Sequence, residues 1–125
     1  MKIDISIGEV IDRLSILQIK KEKIIDQNKL KNVIYEYDLL STGIDNSIKN
    51  KFYDLLYTTN LKLWEVEDKI RIKEKNKNFD KEFIELARSV YYLNDARARI
   101  KKDINIEYNS SIVEEKSYEE YENDQ

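Results

Sequence analysis

The chain has 125 residues, 38% charged and 41% hydrophobic, with two glycines, no proline and a formal net charge of −3. That length suggests one domain with a modest core, and so few breakers among so many Lys, Glu, Ile and Leu point to an all-α fold. The absence of cysteine and histidine excludes disulfides, Cys/His zinc sites, thiol nucleophiles and histidine-based mechanisms, and the negative net charge argues against duplex nucleic acid as a partner.

Ser6-Ile7-Gly8-Glu9 reads as a capping box, with Ser6 as N-cap and Glu9 at the third helical position. The first helix is expected to run from there to about Asp26. Ile7, Val10, Ile11, Leu14, Leu17, Ile24 and Ile25 form one face at helical spacing, while Ile16 and Ile19 lie on nearly the opposite side. A helix apolar on two sides belongs at the centre of a bundle or an oligomer. Asp4, Glu9, Asp12 and Arg13 interrupt the N-terminal apolar stretch, so it is no signal peptide. No apolar run approaches transmembrane length, and a cytoplasmic protein without membrane contact is the expectation.

"DQNK" (26–29) marks a break, followed by a second helical pattern through Leu30, Val33, Ile34, Tyr37 and Leu40. The two helices form either a hairpin or one bent rod, the hairpin being favoured. "STGIDNS" (41–47) is a loop, with Gly43 as terminator and Asp45 to Ser47 as candidate caps. The third helix is expected over Ser47–Lys75, with Ile48, Phe52, Leu55, Leu56, Thr59, Leu63, Val66 and Ile70 facing the core. Its length, on the order of 40 Å, suggests packing against a second copy. After the turn "KEKNKN" (73–78), Asp80 is placed to cap a fourth helix running to about Ile104, with Phe79 stapling onto Ile84. The tail is expected to dock through about Tyr118. The expected organisation is an antiparallel bundle of three to four helices over residues 1–118, at least two of them long, with an acidic disordered tail at 119–125.

Polar residues on apolar faces carry the functional signal. In the fourth helix Phe83, Leu86, Ala87, Val90, Leu93, Ile100 and Ile104 define an apolar arc, and Asn94, Arg97 and Lys101 fall inside it. Arg88, Asp95 and Arg99 fall outside it, on the solvated side. A buried charge costs several kcal/mol unless it is paired. The stripe therefore needs carboxylates or an anionic ligand opposite it, unless Arg97 and Lys101 snorkel to water. On the third helix, opposite the core stripe, lie Tyr53, Tyr57, Asn60, Leu61, Trp64, Asp68 and Arg71. This aromatic-polar stripe suits a ligand pocket, and it equally suits an oligomer interface or a two-sided core. Asp68 is a candidate partner for Arg97. Arg13 and Lys21 add cations on the first helix, and Tyr91 a further ring.

The segments "ISIGEVIDRLSILQIKKEKI", "LWEVEDKIR", "FIELARSVYYLNDARARIKKDIN" and "SSIVEEKSY" resemble a family of short proteins of unknown function from bacteria and viruses. The likeness covers the chain apart from about residues 28–55. It implies that the 125 residues form a complete unit, with the tail through Tyr118 belonging to the fold. Through neighbouring surface-polysaccharide genes in some genomes it also implies a connection to sugar nucleotides or phosphosugars.

Three readings follow. The first is a binding protein that senses or sequesters a nucleotide, cyclic nucleotide or sugar nucleotide. Arg97, Lys101 and Asn94, with Lys21 or Arg13, would hold its phosphate, Trp64, Tyr57 or Tyr91 would stack on its ring, and Asp68 and Arg71 would line the site. The second is an Mg²⁺-dependent phosphohydrolase using Glu9, Asp12, Glu65 and Asp68, the one reading that calls for a cofactor. The third is an oligomeric helical adaptor with an internal ion-pair network. The first is favoured, with an anionic small molecule and a second copy of the chain as partners and no residue assigned a catalytic role.

Overall fold

The computed structural model describes residues 1–45, 47 and 51–122. Among them it holds four α-helices and no strand, an all-α bundle as the composition requires. The first, α1 (Ile7–Lys23), starts where Ser6 accepts a hydrogen bond from the Glu9 amide at 3.1 Å. The Glu9 carboxylate does not close a reciprocal box; it turns to Arg13 and Lys101. The helix stops at Lys23, short of the expected Asp26, because Asp26 instead caps α2 (Gln27–Ser41) by accepting from the Asn28 and Lys29 amides. Ile25, expected on the core face, falls in this linker and is 90% exposed. The hairpin expectation holds: the Lys21 ammonium lies 4.1 Å from the Tyr37 ring centroid. A continuous helix would set those residues roughly 24 Å apart.

The third helix, α3 (Lys51–Lys75), buries Phe52, Leu56 and Asn60, spaced by four. Leu55, expected inside, is 50% exposed, because α1 crosses the side of α3 that carries Asn60. Ile48 lies outside the described residues, as do residues 123–125. Asp80 caps α4 (Lys81–Glu107), accepting from the Phe83 amide at 3.0 Å, and binds Lys73 across the turn at 2.9 Å. Phe79 meets Phe83 edge to face with centroids 5.2 Å apart. α4 runs past Ile104 and closes with Asn109 in left-handed geometry (φ 52°) and the Ser110 amide on the Asn105 carbonyl at 2.8 Å.

α1 packs against the other three helices, as its two apolar sides require. The core joins Ile11 of α1, Phe52 and Leu56 of α3, and Ile104 of α4. α1 and α4 run antiparallel in close contact. At Gly8 the amide donates to Asn105 at 2.7 Å, and an added Cβ would stand 2.5 Å from the Lys101 carbonyl oxygen. Within the α3–α4 hairpin no residue from Leu61 to Tyr91 is buried. Past α4 the chain folds back along it. Ser110 accepts from the Ile7 amide at 3.1 Å, and Tyr121 packs on Tyr91 and Tyr92 with centroids 5.2 and 5.4 Å away. No helix among the described residues is long and apolar enough to cross a membrane.

Candidate functional site

The polar stripe of α4 faces α1. Asp12 is wholly buried, and its carboxylate takes the Arg97 guanidinium in a two-nitrogen fork: Nε at 2.9 and 3.0 Å, with Nη2 closing on Oδ2. Asn60 of α3 donates to Asp12 Oδ1 and to Ser15 Oγ, both at 2.8 Å, and Ser15 donates to the Asp12 carbonyl at 2.7 Å. Among the described residues, no buried side-chain nitrogen or oxygen lacks a partner. The expected partner of Arg97, Asp68, is therefore corrected to Asp12. Helical phase shows which residues share a face, whereas α1–α4 register decides which faces meet.

Lys101, one turn on, reaches Glu9 at 2.6 Å and Glu114 of the tail at 3.5 Å, with Asp12 at 4.0 Å. Burial pushes the Glu9 carboxyl up, but Lys101 and Arg13 outweigh it and leave it below its ordinary value. Hydrogen bonding to Asp12 raises the Arg97 guanidinium despite burial, so that charge is permanent. Lys116, then Lys101, hold the Glu114 carboxyl low.

Two cavities flank this ladder and share Asn94 and Arg97 as a wall. The larger, about 540 Å³, is lined by Tyr91, Asp95, Lys101 and Lys116, with Tyr118 and Tyr121 of the tail on its outer side. The other, about 400 Å³, has Ile16, Ile19 and Leu63 with Trp64, and Asp68 and Arg71 beside them. Arg97 spends Nε and Nη2 on Asp12, and its Nη1 makes no hydrogen bond among the described residues. The fork thus fixes a guanidinium whose remaining nitrogen is available at the wall between two cavities. Asn94, placed by its phase in the apolar arc, is exposed to these cavities.

Trp64, Asp68, Arg71, Tyr91, Asn94, Arg97 and Lys101 are thus brought to one region, on either side of the shared wall. Arg13 stands at its edge, bound to Glu9 at 2.9 Å. Lys21 and Tyr57 are not part of it: Lys21 sits on Tyr37, and the Tyr57 hydroxyl donates to Glu22 at the far end of α1. The carboxylate quartet of the second, disfavoured reading does not assemble among the described residues. Glu9 and Asp12 are held by cations, Glu65 is exposed on α3, and among the described residues no group of three acids is arranged to hold a metal ion.

Sequence reasoning missed Asp12, Ser15 and Asn60 as one network. A signal existed: Asp12 and Ser15 sit on the Ile16/Ile19 side of a helix apolar on both sides, where a carboxylate has no solvent to face. Asp95, expected on the solvated side, is half-buried and accepts from the Tyr121 hydroxyl. That bond, with burial, lifts the phenol to about 12.

Fold and site together define an all-helical bundle with a charged, cavity-flanked centre. The chain belongs to a family of unknown function, DUF6165, which it matches over residues 1–122. No curated protein matches it. No solved structure matches it either.

Proposed function

We propose that this protein is a small-molecule binding protein for an anionic, phosphate-bearing ligand of the nucleotide, cyclic-nucleotide or sugar-nucleotide class, which it senses or sequesters. The observation that carries this is the Arg97 guanidinium, locked by buried Asp12 with Nη1 unspent at a wall shared by two cavities. A buried ion pair is a poor source of stability, because desolvation offsets most of its attraction. Its use here is to hold a guanidinium in one orientation, which lowers the ordering cost of binding. On the larger-cavity side the groups offered to a phosphate are the unspent Arg97 Nη1 and the ammoniums of Lys101 and Lys116, which a phosphate would share with Glu9 and Glu114. On the other side Trp64, over Ile16, Ile19 and Leu63, offers a surface for a ring.

The test is thermal denaturation with nucleoside phosphates, cyclic dinucleotides and sugar nucleotides. A ligand at a hundred times its dissociation constant stabilises by about 2.7 kcal/mol, a midpoint rise on the order of 10 °C. Asn94→Ala and Lys116→Ala, both at exposed positions, should shrink that rise while leaving the ligand-free midpoint in place. No rise with any of these compounds overturns the reading.

A further inference from the structure

From Leu61 to Tyr91 the α3–α4 hairpin has no buried residue. Two helices alone leave much of their apolar surface in water, and Ile72 is 58% exposed. At about 100° per residue, Leu61, Glu65, Asp68, Lys69 and Ile72 fall within roughly 100° of one another on α3. Lys75 follows at the edge of that face.

On this face Glu65 and Asp68 precede Lys69 and Lys75, with Lys62 at its edge; Glu74 lies on the opposite side of α3. Glu65, Glu67 and Asp68 fall in one turn, and Lys69, Arg71, Lys73 and Lys75 in the next two, where Glu74 is taken by Lys77. Glu67 is satisfied by Arg71, and Lys73 by Asp80 and Glu82. Glu65, Asp68, Lys69 and Lys75 make no ion pair among the described residues, and all four lie on or beside the Ile72 face. An acidic turn followed by a basic one is complementary to itself when a second copy is laid antiparallel, and a two-fold axis does that.

We propose that this face pairs with the same face of a second copy, antiparallel, about a two-fold axis near Asp68 and Lys69. Asp68 of each copy then meets Lys69 of the other, Glu65 lies within a turn of the partner's Lys69 and Lys75, and Ile72 is covered. The four helices of the two arms form one bundle, which supplies the burial that each arm lacks. Asp68 also borders the Trp64 cavity, so the pairing is measured on the ligand-free chain.

The test is the mass of the ligand-free full chain by light scattering and sedimentation. A species of twice the 15.0 kDa chain mass is expected, with a dissociation constant rising as salt is added. Lys69→Glu/Lys75→Glu should weaken dimerisation at least tenfold while leaving the circular dichroism unchanged. Adding Glu65→Lys/Asp68→Lys to that variant should restore it, because the complementarity is then reversed in both halves. A wild-type monomer at ~100 μM, a dimer indifferent to the first pair of substitutions, or failure of the second pair to restore it overturns the proposal.

Discussion

Asp12 and Arg97, 85 residues apart in the chain, join α1 to α4 through a carboxylate with no exposed surface and a guanidinium 28% exposed. Without Arg97 the buried Asp12 carboxylate keeps, among the described residues, only Asn60 and a Lys101 ammonium 4.0 Å away, and without Asp12 the half-buried guanidinium loses its carboxylate partner. Asp12→Ala and Arg97→Ala should therefore each destabilise by about 3 kcal/mol or more. The double variant Asp12→Ala/Arg97→Ala should lose much less than the sum, since neither charge is then stranded. Urea denaturation of the four species measures this coupling, and additive losses would contradict a direct pair.

Gly8 is required by contact rather than by backbone conformation. Its helix leaves no room for a Cβ against the Lys101 carbonyl oxygen, 2.5 Å away. Gly8→Ala gains helix propensity but forces α1 off α4, and a net loss of about 1–3 kcal/mol is expected. The displaced residues include Asn105 and Lys101, so amide chemical shifts should move along residues 97–105 and little in α2.

Glu9 sets an acid limit on the α1–α4 contact. Its carboxyl lies below the ordinary 4.5, so the folded state binds fewer protons there than the unfolded chain. Its contribution is therefore complete above about that value and is lost as pH falls through the lowered one. Unfolding free energy from pH 6 to 3 should fall less steeply in Glu9→Gln than in wild type. Equal slopes would show that Lys101 gains nothing from Glu9.

Lys77 occupies a left-handed position (φ 52°) at the end of α3, with the Asn78 amide bonded to the Lys73 carbonyl at 2.9 Å. A side chain there costs roughly 1 kcal/mol relative to glycine. Lys77→Gly should raise the denaturation midpoint, at the expense only of an exposed pair with Glu74. An unchanged or lowered midpoint would count against that geometry.

The tail is held on α4 by Tyr121, through its rings with Tyr91 and Tyr92 and its hydroxyl on Asp95. Tyr121→Ala should speed tryptic cleavage after Lys116 several-fold with little change in the circular dichroism. Equal cleavage rates in the two proteins would mean that Tyr121 does not anchor the segment.

Much of the fold was legible in the sequence because helix formation is local. Ser6, Asp26 and Asp80 each sit before a periodic apolar run, and each side chain caps a helix. Asp26, expected at the end of α1, is instead the N-cap of α2, since a cap and a helical aspartate differ only in the backbone that follows. Leu55 and Ile25 were misplaced for a related reason. Periodicity gives a face, but only the neighbouring helix decides how much of that face is covered.

The sequence by itself determined that this is a helical protein without thiol or imidazole chemistry, with three polar residues aimed at an apolar side of its last helix. Those follow from composition and a period of 3.6 residues, which hold along one segment at a time. Only the tertiary structure decided that Asp12, not Asp68, receives Arg97, that Lys101 turns to Glu9 and the tail, and that Asn94 and Arg97 divide two cavities. Which side chains meet across helices depends on register and crossing, and here that register is set by a glycine contact between α1 and α4 that no periodicity encodes.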